Sequence, residues 1–184
     1  MQPAEGFALS SVEPDGTPFD ALFRAHYPRV VGLLARLMGD RGQAEEIAAD
    51  VFCKISRKAG TGQNADGWVP WLYRVATNAG LDALRSNSRR RRREEVAGRW
   101  GLHNSIRSSA LDRMLHAERC ERVRSVLLSL KPRDAQLLLL RVEGLAYRDL
   151  ADALGVQPAS IGTLLSRAEA EFSRRFRARF GDEL

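Results

Sequence analysis

Across two long stretches, about residues 19–88 and 118–184, apolar residues recur at three- and four-residue steps, and neither alternates apolar with polar residues as a half-buried strand would. That property points to helices packed on helices. Phe19, Leu22, Phe23, Tyr27, Val30, Leu34, Leu37 and Met38 form the first run, and Pro28 is expected to break it into two helical pieces. Asp40 is placed to cap the next helix. There Ala44, Ile47, Ala48, Val51, Phe52 and Ile55 make an apolar stripe opposite Glu45, Glu46, Asp50, Lys54 and Lys58. Residues 59–67 carry turn chemistry and read as a loop. A third pattern follows, with Trp68, Leu72, Val75, Ala76 and Ala79 on one face and Arg74, Asn78, Asp82 and Arg85 on the other. Pro70 is tolerated there only in a first turn.

A second helical module runs from about Glu118. Val123, Val126, Leu127 and Leu130 predict one helix. Pro132 opens another, with Ala135, Leu138, Leu139 and Val142 as its apolar positions. Tyr147, Leu150, Ala151 and Leu154 give a short helix, and Gly155 falls where a left-handed C-cap is needed. Pro158 starts a last helix with Ile161, Leu165, Ala168 and Phe172 inward. Two short helices joined by a Gly-containing turn read as a helix-turn-helix, whose second helix enters the major groove through its first residues. The fold class expected is therefore all-α: two small helical domains, 19–88 and 118–184, joined by a basic flexible linker and preceded by an acidic tail, 1–18.

The charge supports that division. Of the net +6, residues 89–117 carry eight basic and three acidic groups, whereas the flanking modules are each close to neutral. The stretch opens with Arg89, Arg90, Arg91, Arg92 and Arg93 and continues through Gly98, Gly101, Asn104 and several serines. Such a block reads either as a plain connector or as a nucleic-acid contact. Two cysteines, Cys53 and Cys120, make neither a disulfide framework nor a four-ligand zinc site, and a reducing cytoplasm fits them. No apolar run is long enough for a membrane span, so no membrane insertion is expected. His116 and Cys120 stand four apart, but two ligands do not close a metal site, and no metal or cofactor is expected.

A helical domain, a basic linker and a C-terminal helix-turn-helix together resemble the extracytoplasmic-function (group 4) class of sigma-70-type RNA polymerase sigma factors. The likeness spans about residues 19–182. Ala44-Glu45-Glu46-Ile47-Ala48-Ala49-Asp50-Val51-Phe52 looks like the family helix that docks on the clamp coiled coil of bacterial core RNA polymerase. Trp71-Leu72-Tyr73-Arg74-Val75-Ala76-Thr77-Asn78 looks like its −10-reading helix. Glu143-Gly144-Leu145-Ala146-Tyr147-Arg148-Asp149-Leu150-Ala151, then Leu154-Gly155-Val156, looks like its −35-reading domain.

The resemblance implies roles for particular residues. Glu45, Glu46, Ala49, Asp50 and Cys53 would meet polymerase, although the family's usual Gln is absent at position 49. Asn78 would read a −10 base, since an amide both donates and accepts at a base edge; the bland alternative is an Asn bonded to its own helix. Arg74 and Arg85 would contact the same DNA. Loop 59–67 resembles the family loop that captures a flipped base, for which Gln63, Asn64 and Asp66 offer polar groups. Trp68 and Trp71 are either stacking platforms or core anchors. Arg89–Arg93 would hold phosphates at the upstream fork.

For −35 DNA the candidates are Tyr147, Arg148, Ser160, Thr163, Leu164 and Arg167. An ungapped alignment puts Gly162 and Leu164 where relatives commonly carry Lys or Arg. A rival register, matching Gly162-Thr163 and Ser166-Arg167, needs three extra turn residues. Phe172 to Phe180, interleaved with arginines, would either continue toward the polymerase flap or end as a solvated helix. Promoter DNA and core polymerase are the partners implied, with an anti-sigma factor usual for the family.

Catalytic signatures are lacking: no Gly-Lys-Ser/Thr phosphate loop, no paired His/Glu metal motif and no nucleophile elbow stand in the sequence. No enzymatic activity is expected. The alternative is a stand-alone helix-turn-helix repressor or activator, which binds duplex DNA unaided and leaves helix 43–58 without a role. A DNA-processing enzyme would need clustered acidic metal ligands with histidine partners.

Overall fold

The structure, a computed structural model, describes residues 18–59, 67–96 and 110–181. The tail 1–17, the loop residues Gln63, Asn64 and Asp66, and residues 97–109 lie outside the described residues. The described residues are all-α, as the apolar spacing requires.

Helix α1 (Pro18–Met38) is continuous through Pro28, where the sequence suggested a break. The proline is exposed, and the helix is held on both sides of it. Phe19, Phe23, Tyr27 and Phe52 form an aromatic cluster before and beside it. Val30, Leu33, Leu34 and Leu37 are buried after it. Packing outweighs the lost backbone hydrogen bond. Asp40 caps α2 (Arg41–Ala59) as expected, its carboxylate accepting from the Gln43 N–H at 3.0 Å. Helix α3 (Trp68–Val96) carries Pro70 in its first turn. At Gly80 it lies so close to α1 that a Cβ would stand 2.6 Å from Leu34 and 2.9 Å from Leu37.

In the second module α4 (Ala110–Ser129) leads through Lys131 into α5 (Pro132–Val142), with Pro132 opening it. Helix α6 (Tyr147–Leu154) ends at Gly155, whose φ of 64° and ψ of 44° are the left-handed cap foreseen. A short 3-10 turn, Pro158–Ser160, then feeds α7 (Ile161–Phe180).

Two boundaries differ from the expected ones. Arg89–Arg93, expected to open the linker, continue α3 as exposed helix, and α4 begins at Ala110, inside the expected linker. More consequential is the packing between modules. One apolar core contains Val30, Leu34, Phe52, Leu72 and Ala76 from the first module and Leu137, Leu140, Leu150 and Ile161 from the second. Helix α3 packs against both α5 and α6. Helix α5 is therefore covered on two sides: it buries Ala135, Leu137 and Leu140, keeps Leu138 and Leu139 half-buried, and leaves Val142 77% exposed. Val142 is thus not one of its core positions. At about 1.5–3 kcal/mol for each fully buried large aliphatic side chain, this seam outweighs any surface ion pair beside it.

Candidate nucleic-acid interface

The apolar stripe of α2 fixes what its other face presents. Ala44, Ala48, Val51, Phe52 and Ile55 are buried. Glu46, Ala49, Asp50 and Cys53 consequently stand exposed in one stripe, with Glu45 half-buried at its edge. Glu45 already pairs with Arg41 at 2.8 Å. An exposed pair of this kind is worth little, so a basic partner could replace Arg41 at small cost.

On α3 the same logic separates core from contact. Trp68, Leu72, Tyr73, Ala76 and Thr77 are buried. Trp68 meets Trp71 edge to face at 5.9 Å, which makes Trp68 a core anchor. Arg74 and Asn78 are exposed, four residues apart and hence on one face. Arg85 differs: it is half-buried, pairs with Asp82 at 2.9 Å, and has its second terminal nitrogen shielded without a hydrogen-bond partner among the described residues. That arrangement holds its guanidinium close to the helix. Arg89, Arg90, Arg91, Arg92 and Arg93 extend the exposed basic surface, and Arg91 lies 3.6 Å from Glu121.

In the helix-turn-helix, Ile161, Leu165 and Ala168 face inward. Ser160, Thr163 and Arg167 are exposed at the start of α7, and Leu164 is half-buried. Gly162 has the Tyr147 ring 3.9 Å from where its Cβ would be. Tyr147 and Arg148 are exposed at the start of α6, and Arg141 lies over the Tyr147 ring at 5.6 Å. Leu164 also borders a cleft of about 520 Å³ that contains Lys131, Arg133, Arg167 and Arg175 together with Asp134 and Glu171. Lys131 and Arg133, a basic pair at the N-terminus of α5, precede the motif and were not among the expected DNA contacts.

The end of α7 is not a fully solvated helix, because its phenylalanines pack inward. Phe176 is buried, Phe172 and Phe180 flank it, and Arg122 of α4 lies over the Phe180 ring at 5.5 Å. The phenylalanines hold α7 to α4 and so serve the fold. Hydrogen bonds from Arg174 and Arg175 hold the Glu171 carboxyl down to about 2, so these two arginines are partly neutralised. His116 and Cys120 lie 3.5 Å apart on the surface, and among the described residues no group of three metal-ligating side chains forms.

Two family models match this chain. Sigma-70 region 2 covers residues 22–90, and Sigma-70, region 4 covers residues 120–172. The ECF RNA polymerase sigma factor SigK of Mycolicibacterium vanbaalenii is 30% identical over 155 residues, 83% of this chain and 77% of that protein. The chain belongs to the extracytoplasmic-function RNA polymerase sigma factors.

RNA polymerase sigma-H factor of Pseudomonas aeruginosa is 27% identical over 160 residues, 83% of this sigma factor and 81% of that one. Among solved structures, the sigma factor RpoE of Bartonella quintana, in complex with the anti-sigma factor NepR, shares the fold at a TM-score of 0.53 and 17% identity. It covers 85% of this sigma factor and 94% of that chain. A region 2 match over residues 22–90 has no place in a stand-alone helix-turn-helix repressor, and that alternative falls. This sigma factor joins core RNA polymerase and directs it to promoters. Among its described residues no helix is long and apolar enough to cross a membrane.

Proposed function

We propose that each exposed stripe described above meets a different partner of the initiation complex. Glu45, Glu46, Ala49, Asp50 and Cys53 dock on the clamp coiled coil of the polymerase largest subunit. Asn78, with Arg74 and Arg85 beside it, reads the −10 element, and Gln63, Asn64 and Asp66 hold a flipped base. Arg89–Arg93 take phosphates at the upstream fork. Tyr147 and Arg148 fix the helix-turn-helix on the backbone, while Ser160, Thr163, Leu164 and Arg167 read −35 bases. With Gly162 and Leu164 in place of the usual basic residues, this readout leans on hydroxyls and on a methyl contact to thymine. The factor acts in the cytoplasm and carries out no catalytic step of its own. An anti-sigma factor and the polymerase flap are further partners.

The observation that carries this reading is the exposure of Asn78 and Arg74 side by side on a stretch of α3 whose opposite face is buried at Leu72 and Ala76. The test adds the purified chain to core polymerase and maps transcripts from a promoter library. Initiation at a defined promoter set is expected, and Asn78→Ala should reduce it by about tenfold or more, since a good base-edge pair is worth ~1–3 kcal/mol. Transcription that is indifferent to Asn78→Ala would remove the −10 assignment.

A further inference from the structure

Between Leu115 and Arg119, helix α4 has no buried face. Leu115, His116, Ala117, Glu118 and Arg119 are all exposed, and at about 100° per residue these positions go round the helix more than once. Packing therefore does not hold this stretch, and side-chain pairs one turn apart bridge it instead. Glu118 accepts from Arg122 at 2.6 Å. His116 and Cys120 make the other pair, with the imidazole Nε2 3.5 Å from the thiol Sγ. The neighbouring cations are engaged elsewhere, Arg122 with Glu118 and Arg124 with Glu121 and the Leu37 and Arg36 carbonyls. Arg119 is exposed to solvent, where its charge is screened.

We propose that His116 and Cys120 form a binding site for a thiophilic divalent cation of the Zn²⁺ class. Tetrahedral zinc sits about 2.3 Å from a thiolate sulfur and about 2.0–2.1 Å from an imidazole nitrogen, which sets the two ligand atoms about 3.5–3.6 Å apart. The His116–Cys120 separation of 3.5 Å already has that value. It is equally the length of a thiol–imidazole hydrogen bond, so the metal takes the place of the shared proton, which leaves to solvent as the metal–sulfur bond forms. A nitrogen–sulfur donor pair disfavours hard cations such as Mg²⁺. His116 is exposed and Cys120 half-buried, so the remaining coordination positions face solvent and are filled by water. Two protein ligands make an exchangeable site rather than a permanent structural one. Its Kd is on the order of ten micromolar, since half the ligands of a structural zinc site bring about half of its binding free energy. The other cysteine, Cys53, has Ala49 and Arg57 at the same spacing and lacks such a pairing.

Bound metal ties one turn of α4 to the next. The two ligands come together only in the helical form, so metal binding and local helix formation are one equilibrium. With Zn²⁺ at about ten times its Kd, opening of this stretch falls by about tenfold. The later turns of α4 need no such tie, because Val126 and Leu127 are already buried.

The experiment uses the full chain, reduced and stripped of metal. Titration with Co²⁺, a spectroscopic stand-in for zinc, is expected to give a thiolate-to-cobalt charge-transfer band, which Zn²⁺ then displaces at one metal per chain. Cys120→Ser should abolish the band, and His116→Ala should weaken binding by about tenfold or more. Cys53→Ser should keep both the band and the affinity. None of the three positions is buried, so the core stays intact in every variant. Hydrogen exchange of amides 117–121 should slow by about tenfold with Zn²⁺ in the wild type and stay unchanged in Cys120→Ser. A band that survives Cys120→Ser, an affinity indifferent to His116→Ala, or exchange in α4 unmoved by Zn²⁺ would overturn the proposal. So would one metal per two chains, which requires a second copy to complete the site. Neither readout involves polymerase or DNA, so the outcome is independent of the promoter assignments.

Discussion

The Thr77 hydroxyl accepts from the Gln136 amide at 3.0 Å while lying 2.7 Å from the Tyr73 carbonyl, to which it donates. One buried oxygen thus serves its own helix and the opposite module. Thr77→Val keeps the shape and removes both bonds, leaving Gln136 only the Arg74 carbonyl. The expected loss is about 1–2 kcal/mol in urea-denaturation stability, and a loss indistinguishable from zero would show that the bridge contributes nothing.

Leu150 of α6 is fully buried in the shared core. Leu150→Ala should cost about 2–5 kcal/mol. Trp68 and Trp71 both belong to the first module, so in a Trp100→Phe background tryptophan fluorescence reports on unfolding there. With a common core, the tryptophan transition shifts although the substitution lies in the second module. Two separable transitions, with the tryptophan one unmoved, would mean the modules unfold independently.

At Gly80 an added methyl meets Leu34 and Leu37 inside contact distance. Alanine is the better helix former by about 1 kcal/mol, yet overpacking costs about 1–3 kcal/mol. The steric term wins because both leucines are themselves buried. Gly80→Ala should therefore destabilise by up to about 2 kcal/mol, measured by thermal or urea unfolding; a stabilised variant would show that α1 and α3 separate freely.

Burial, with Arg29 nearby, holds the His26 imidazole below its ordinary value of 6.5. As pH falls through that value the unfolded chain takes up the proton first, so stability drops as pH decreases from about 7.5 to 5.5. His26→Gln should lose less over the same range. Urea midpoints at the two pH values decide it, and equal losses in wild type and variant would count against the assignment.

Much of the fold was legible because the signals are local. Asp40, Pro132 and Gly155 each act within one helix turn, and each stands where the spacing put it. Pro28 misled because its cost is local, whereas the packing that outweighs it comes from Phe52 on another helix. The helix-turn-helix surface was readable for the same reason as the caps: its buried residues fix which neighbours remain outside. The joining of the modules was not read, although Leu137 to Leu140 hinted at it. Four leucines in a row wrap a helix on every side, and a helix apolar all round needs partners on every side. Gln136 gave no signal, because an amide is polar in sequence and its burial depends on where Arg74 and Thr77 fall.

The extension of α3 through its arginines limits what that charge can do. A helix turns about 100° per residue, so Arg89 to Arg93 point around the full circumference of a rod whose 29 residues span roughly 44 Å. A polyanion lying along one side meets about two or three of the five. The contribution of this run to the logarithmic salt dependence of binding is then about −2 to −3, where a limp chain wrapping the same phosphates would reach about −4 or beyond. The remaining arginines face elsewhere, and Arg91 already lies beside Glu121. Helicity rations the cationic run among several neighbours, so that no single one can hold the factor by charge alone.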